Sequence, residues 1–287
     1  MHWNKVTVAC DAEIIESLET LIWNLGAVSV TVTDSEDHPI YEPGPGETPL
    51  WSKMEVTGLF EEDIDQKEVC SQLVDAGFPI LFTEELGDRV WEREWLSRFH
   101  AVKFGSRLWV CPTGEEVTES GAVVMHLDPG LAFGTGSHAT TQLCLEWLGS
   151  ADMAGKRVID YGSGSGILGI AALLLGADEV LAVDNDPQAL RATKDNAARN
   201  NVGDRLRTSE PGKFETMQAD VVIANILAQP LIDLSDHLLS LLKDGGDLLL
   251  SGIMESQQQW VESAYEDKAT FIGRQLEDGW LCLQARK

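Results

Sequence analysis

No stretch of this 287-residue chain approaches twenty consecutive apolar residues. That is the length a helix needs to cross a bilayer, so no membrane span is expected. The N-terminus, Met1-His2-Trp3-Asn4-Lys5, lacks the charged-then-apolar layout of a signal peptide. Cysteine is sparse: Cys10, Cys70, Cys111, Cys144 and Cys282 are scattered, odd in number and form no Cys-x-x-Cys. This argues against a disulfide framework or a zinc site and for free thiols in a reducing cytoplasm; no metal is expected. Positive charge is scarce too. Against 47 Asp and Glu stand 21 Lys and Arg, a formal net charge of -26. Such a surface repels phosphate backbones, so no direct nucleic-acid contact is expected, and it attracts a basic partner. The alternative, that acidity only aids solubility, stays open. The rest of the composition, 44% hydrophobic and 24% charged, is that of a soluble globular protein with room for two domains.

The first part of the chain reads as two similar halves. Trp3 to Ala9 alternates like a strand, and Ala12 to Leu25 carries Ile14, Ile15, Leu18, Leu21, Ile22 and Leu25 at helical spacing. Gly26 stops that helix, and Ser29 to Thr33 is β-branched and strand-like. A Pro/Gly-rich loop, Glu42 to Glu47, separates a second unit: a strand from Met54 to Phe60, a helix from Ile64 to Ala76 and a strand from Phe78 to Thr83. The order βαββαβ predicts a small α+β ferredoxin-like domain over residues 1–86, with no catalytic cluster in it. Residues 87–104 are expected to form a helical linker. Trp91, Trp95 and Phe99 lie four apart on one face of it, a stripe best read as core.

From about residue 105 strands and helices alternate, which predicts an α/β domain over 105–287 built on a parallel sheet. Strands are expected at Val158 to Asp160, Glu179 to Val183, Asp220 to Ala224 and Leu248 to Ser251. Helices are expected at Thr141 to Leu148, Ile167 to Leu175, Pro187 to Asn200, Pro230 to Leu242 and near Glu255 to Ala264. Strands at Thr270 to Ile272 and Trp280 to Ala285 close it as a mixed seven-stranded, Rossmann-like sheet.

The chemistry concentrates in Val158-Ile159-Asp160-Tyr161-Gly162-Ser163-Gly164-Ser165-Gly166-Ile167. A buried strand runs into a glycine-rich turn and then a helix, the context in which such a turn cradles a nucleotide-like ligand. Asp184 ends the next strand, 22 residues after Gly162, where a carboxylate can hold both ribose hydroxyls of an adenosine ligand; Asp186 before Pro187 reads as a helix cap. Asn225 ends a further strand and faces the same end of the sheet, able to accept a hydrogen bond from an amine. The loop Leu127 to Thr141 is rich in glycine and hydroxyls and could cover a ligand, although it lacks a P-loop lysine. Within it His138 is a helix-capping residue or, less naturally, a base. Three functions share these features. They are a methyltransferase, a nicotinamide-dependent oxidoreductase (Gly164-x-Gly166-x-x-Gly169 also fits a dinucleotide turn), and a binding protein on a retained fold.

Taken together, Asp128-Pro129-Gly130-Leu131-Ala132-Phe133-Gly134-Thr135-Gly136-Ser137-His138, the Asp160 to Gly166 turn, Asp184-x-Asp186-Pro187 and Asn225-Ile226-Leu227 resemble one family. It is the bacterial methyltransferases that modify the eleventh protein of the large ribosomal subunit. The resemblance extends over nearly the whole chain, through Gly46-Glu47-Thr48, Trp91 to Trp95 and Phe104-Gly105-x-Arg107-Leu108-Trp109. It implies a substrate-recognition domain, a linker and a class I S-adenosylmethionine-dependent domain. It also implies methylation of lysine side-chain amines and the N-terminal amine of a basic ribosomal protein. The enzyme is expected to be cytoplasmic, from its cysteine usage, and monomeric. By the same resemblance Thr141, Gly162, Gly164, Gly166, Asp184, Asn225, Phe133 and Gly134 would contact the cofactor. Independently of it, Asn225 and neighbouring backbone carbonyls are expected to orient the amine. Ser163 stands where the family commonly has Cys, another small residue. The related methyltransferases of planar nitrogens carry Asn/Asp-Pro-Pro-Tyr where this chain has Asn225-Ile226-Leu227-Ala228, which argues against those substrates.

Overall fold

The computed structural model describes residues 3–11, 14–34, 53–86, 100–127, 138–215 and 217–287. The expected loop at 42–47, the connector helix at 91–99 and most of the loop at 127–141 fall outside them. The chain divides into two compact units, residues 1–93 and 94–287.

In the first unit the elements run β1 (Trp3–Asp11), α1 (Ile15–Asn24), β2 (Ser29–Asp34), β3 (Lys53–Glu61), α2 (Gln66–Asp75) and β4 (Ile80–Leu86). The strands form one antiparallel sheet in the order β2-β3-β1-β4. Alternate residues of β1 and β3, Val6, Val8, Met54, Val56 and Phe60, are buried with Leu18 and Ile22 of α1 and Val69 and Leu73 of α2. The period of two in the strands and of about four in the helices therefore lands on one core. Helix α2 begins two residues later than its apolar pattern, at the point where Asp65 caps it by accepting from Lys67 N at 2.9 Å.

The second unit holds β5 (Val102–Phe104), β6 (Leu108–Cys111), β7 (Val123–His126), α3 (Ala139–Ser150), β8 (Arg157–Tyr161), α4 (Ile167–Leu174), β9 (Glu179–Val183) and α5 (Pro187–Arg199). It continues with β10 (Leu206–Ser209), β11 (Ala219–Asn225), α6 (Ala228–Asp233), α7 (Ser235–Ser240), β12 (Leu242–Met254), α8 (Gln258–Tyr265), β13 (Thr270–Glu277) and β14 (Trp280–Arg286). Seven strands form a sheet in the order β10-β9-β8-β11-β12-β14-β13. Its first five are parallel, and β14 runs antiparallel to both neighbours, so the sheet is mixed.

Both faces of this sheet are covered, which is why its central strands read as unbroken apolar runs. Val158, Val180, Val221 and Ile223 pack with residues of α3, α4 and α5. Their neighbours Ile159, Tyr161, Leu181, Val222 and Ala224 point the other way, to Leu231, Leu238, Val261 and Tyr265 of α6, α7 and α8.

Several expectations need adjusting. Residues 102–104, read as the end of a linker, are a strand of a separate three-stranded sheet, β5-β6-β7. The helix expected from Pro230 to Leu242 is two short helices, and Leu242 already belongs to β12. The turn from Glu255 to Gln257 is a 3-10 turn that precedes α8. All five cysteines are free thiols.

The sheet order also locates the site. From β8 the chain steps outward through β9 to β10, then returns to lay β11 on the other side of β8. The crevice at the carboxyl ends of β8 and β11 is the topological switch point, where open α/β sheets bind their ligands.

Candidate functional site

Every glycine of the 162–166 turn has a positive φ: +80° at Gly162, +53° at Gly164 and +80° at Gly166. Side chains seldom tolerate that conformation, so the glycines are a backbone requirement of the turn. They also leave no room. A Cβ on Gly162 would stand 2.3 Å from Ile226 Cγ2, and one on Gly166 would stand 2.7 Å from Thr193 Cγ2. The turn is pinned to its neighbour strand, since Gly162 N and Ser163 N both donate to the Val183 carbonyl, at 2.7 and 3.1 Å.

Asp184, next after Val183, braces the turn from the side. Its Oδ2 accepts from Gly164 N at 2.8 Å and its Oδ1 accepts from Asp186 N at 2.9 Å. Each carboxylate oxygen keeps a further lone pair, so the group can still accept from a ligand's hydroxyls. Asp186 caps α5 by accepting from Gln188 N at 2.7 Å, as its place before Pro187 indicated.

Asp160 is 1% exposed, and its Oδ2 accepts from Gly169 N, in the first turn of α4, at 2.9 Å. Burial, reinforced by the nearby Asp184 charge and opposed by the Gly169 hydrogen bond, pushes its carboxyl up to about 7.

On the far side of the crevice Ala224 of β11 pairs with Tyr161 of β8, which sets Asn225 abreast of Gly162. Asn225 Nδ2 donates to Thr141 Oγ1 at 3.3 Å. Thr141 is buried in the first turn of α3, and Ser251, which pairs with Asn225, hydrogen-bonds the Thr140 carbonyl at 3.2 Å. His138 caps α3: its Nδ1 lies 3.3 Å from Thr140 N and 2.8 Å from Thr140 Oγ1, and its ring meets Trp280 edge-on. That geometry fills the capping role.

Of the residues selected from sequence, Thr141 and Asn225 therefore meet across one side of the crevice, and Gly162, Gly164, Gly166 and Asp184 meet across the other. Phe133 and Gly134 lie outside the described residues. Three contributors escaped the sequence reading. Thr193 Oγ1 donates to the Gly164 carbonyl at 3.0 Å and Asn196 Nδ2 to the Ser165 carbonyl at 2.9 Å. Gly252 has φ +86°, and a Cβ there would stand 2.1 Å from the Ile226 carbonyl oxygen, so its bareness lets β12 approach the 225–227 segment. A glycine at the end of an apolar strand was the available signal for Gly252. For Thr193 and Asn196 nothing in the local pattern distinguishes them from other polar positions of an amphipathic helix.

Comparison with known proteins bears on what such a crevice binds. Residues 2–287 match the family model of ribosomal protein L11 methyltransferase. A protein of that name from Methylococcus capsulatus is 49% identical over 290 aligned positions, covering 98% of each chain. One from Marinobacter nauticus is 46% identical and covers 100% of this chain and 99% of its own. Among solved structures, the ribosomal protein L11 methylase of Lactobacillus delbrueckii subsp. bulgaricus matches with a TM-score of 0.60 at 34% identity, covering 66% of this chain and 100% of its own.

Proposed function

Because the chain belongs to the ribosomal protein L11 methyltransferase family, we propose that the crevice between β8 and β11 is where S-adenosylmethionine is held while its methyl group passes to an amine of that ribosomal protein. The protein is an enzyme, a methyltransferase acting on ribosomal protein L11. Family membership gives no support to the nicotinamide-dependent or the purely binding readings. The observation that carries the assignment of the site is the left-handed glycine turn at the switch point, braced by Asp184 at 2.8 Å from Gly164 N.

The residues present suit the cofactor. The left-handed turn through Gly162, Gly164 and Gly166 presents backbone to a ligand at the switch point, while the Cβ sides of Gly162 and Gly166 are taken up by Ile226 and Thr193. Asp184 has acceptor capacity left for two ribose hydroxyls. Thr141 and Asn225 close the side opposite Asp184. When bound, the cofactor supplies an electrophilic methyl group on a sulfonium. The chain's own task is then to present a neutral amine in line with it, so that positioning carries much of the rate.

Asn225 Oδ1 is the acceptor suited to that task. Its Nδ2 donates to Thr141, which holds the amide plane, and among the described residues Oδ1 takes no donor, so it can receive an amine N–H. A free lysine titrates near 10.4, and entry into a partly dry crevice lowers that value, so the proton leaves to water before transfer. Lysine side chains and the N-terminal amine of the substrate are the acceptors this geometry serves. Residues 1–86 are read as the substrate-recognition domain and 87–104 as the linker. The antiparallel order β2-β3-β1-β4 supports a ferredoxin-like reading of the first. The enzyme is expected to work as a monomer in the cytoplasm.

The test is transfer of labelled methyl groups from S-adenosylmethionine to a mixture of unmethylated ribosomal proteins, with Asp184→Ala alongside. One labelled band is expected, reduced at least about tenfold in the variant at limiting cofactor, a loss of about 1.4 kcal/mol or more in binding. Cofactor binding by calorimetry without any transfer would discard the substrate. Absence of both would return the site to the nicotinamide reading.

A further inference from the structure

The glycine turn is built from residues with little conformational preference of their own, so something else must hold its peptides in one orientation. Asp184 and Val183 hold three of its N–H groups. Two of its carbonyls, those of Gly164 and Ser165, are held by α5, while that of Ser163 accepts from Gly166 N. Thr193, wholly buried, donates to the Gly164 carbonyl at 3.0 Å and lies 3.4 Å from Ser163 Oγ. Asn196, one turn further along the same helix face, donates to the Ser165 carbonyl at 2.9 Å. In a trans peptide the C=O and the following N–H point in opposite directions. Drawing the Gly164 carbonyl toward α5 therefore turns the Ser165 N–H away from α5. Without Thr193 the Gly164–Ser165 peptide could rotate, exchanging an amide for a carbonyl on the side away from α5. The Ser165–Gly166 peptide is held at both ends, by Asn196 on its carbonyl and by Gly166 N donating to the Ser163 carbonyl at 2.7 Å, so loss of Asn196 loosens it from one side.

We propose that Thr193 and Asn196 are positioning residues for cofactor binding, setting the orientation of the turn's central peptides, and so its affinity, without touching the ligand. The inference rests on the reading of this turn as the S-adenosylmethionine site. It assigns them an effect on binding alone. Once the ligand is bound, its own contacts hold the peptides, and the rate at saturation is unchanged.

Thr193→Val is nearly isosteric. It keeps the methyl contact with Gly166 and removes only the hydroxyl, leaving the Gly164 carbonyl without that donor. Thr193→Ser keeps the hydroxyl and removes the methyl. Thr193→Val is expected to raise the KM for S-adenosylmethionine, and the calorimetric Kd for S-adenosylhomocysteine, about tenfold, with kcat within about twofold of wild type. Thr193→Ser should bind within about threefold of wild type. Asn196→Leu, at a less buried position, should behave as Thr193→Val does and carries the test if that variant does not fold. Unchanged affinity in Thr193→Val and Asn196→Leu would overturn the proposal, as would equal impairment of Thr193→Val and Thr193→Ser, or a fall in kcat with KM unmoved. Wild-type protein that bound neither ligand would instead remove the site reading on which the inference stands.

Discussion

Asp160 is a carboxylic acid set among apolar neighbours, and the fold tolerates it at a cost that varies with pH. An unfolded aspartate titrates near 3.9, whereas burial raises the folded carboxyl to about 7. Between those values the folded chain retains a proton that the unfolded chain releases. The contribution of this group to stability is therefore most favourable below the unfolded value and declines as pH rises through the window, by at most about 4 kcal/mol. Asp160→Asn keeps an acceptor for Gly169 N and removes the titration. Thermal midpoints of the two ligand-free proteins should diverge in favour of the variant from pH 5 to pH 8, and a constant gap would contradict the account. At this scale the sequence was informative where function and chain distance coincide. Asp160, the three glycines and Asp184 fall within 25 residues along two strands and their turns. Thr193 and Asn196 act on carbonyls about 30 residues away, and only the packing of α5 against α4 reveals them.

The elements legible in advance were those whose composition leaves little choice. Strands β8, β9 and β11 are short apolar runs bounded by turns, and α5 opens with a capping aspartate and a proline. Strand β10 was missed because Leu206-Arg207-Thr208-Ser209 offers one apolar residue at a sheet edge, too little for any periodicity. The β5-β6-β7 sheet was missed for a related reason: strands of three or four residues take their identity from partners. Asn200 shows how such a sheet is attached. Its Oδ1 accepts from His126 N at 2.8 Å and its Nδ2 donates to the His126 carbonyl at 2.8 Å, so the side chain completes the outer edge of β7 as another strand would. Asn200→Ala leaves both backbone groups unpaired, at a cost of about 3 kcal/mol. The thermal midpoint should fall by roughly 6–10 °C, and a shift of only a degree or two would show that water replaces the side chain readily.

Across the whole molecule the negative charge is uneven. Residues 1–93 contain five Lys and Arg against twenty Asp and Glu, more than half of the net charge in a third of the chain. The first unit is therefore where attraction of a basic protein is expected to be strongest. The association rate with the unmethylated ribosomal protein should fall at least about tenfold between roughly 0.02 and 0.3 M salt, as the screening length shortens from about 20 to 6 Å. Stopped-flow rates independent of salt would leave the acidity as a solubility device. The mixed sheet was readable from the sequence because it rests on long-period patterns, whereas the switch-point crevice followed only once strand order was known. That crevice lies at the ends of β8 and β11, strands paired on both edges and covered on both faces. Their amides trade hydrogen with water only when the unit as a whole opens. A bound ligand accordingly leaves its protection in the turns that leave those strands, at 162–166 and 225–227, and little in the strands themselves, which have almost no exchange left to lose.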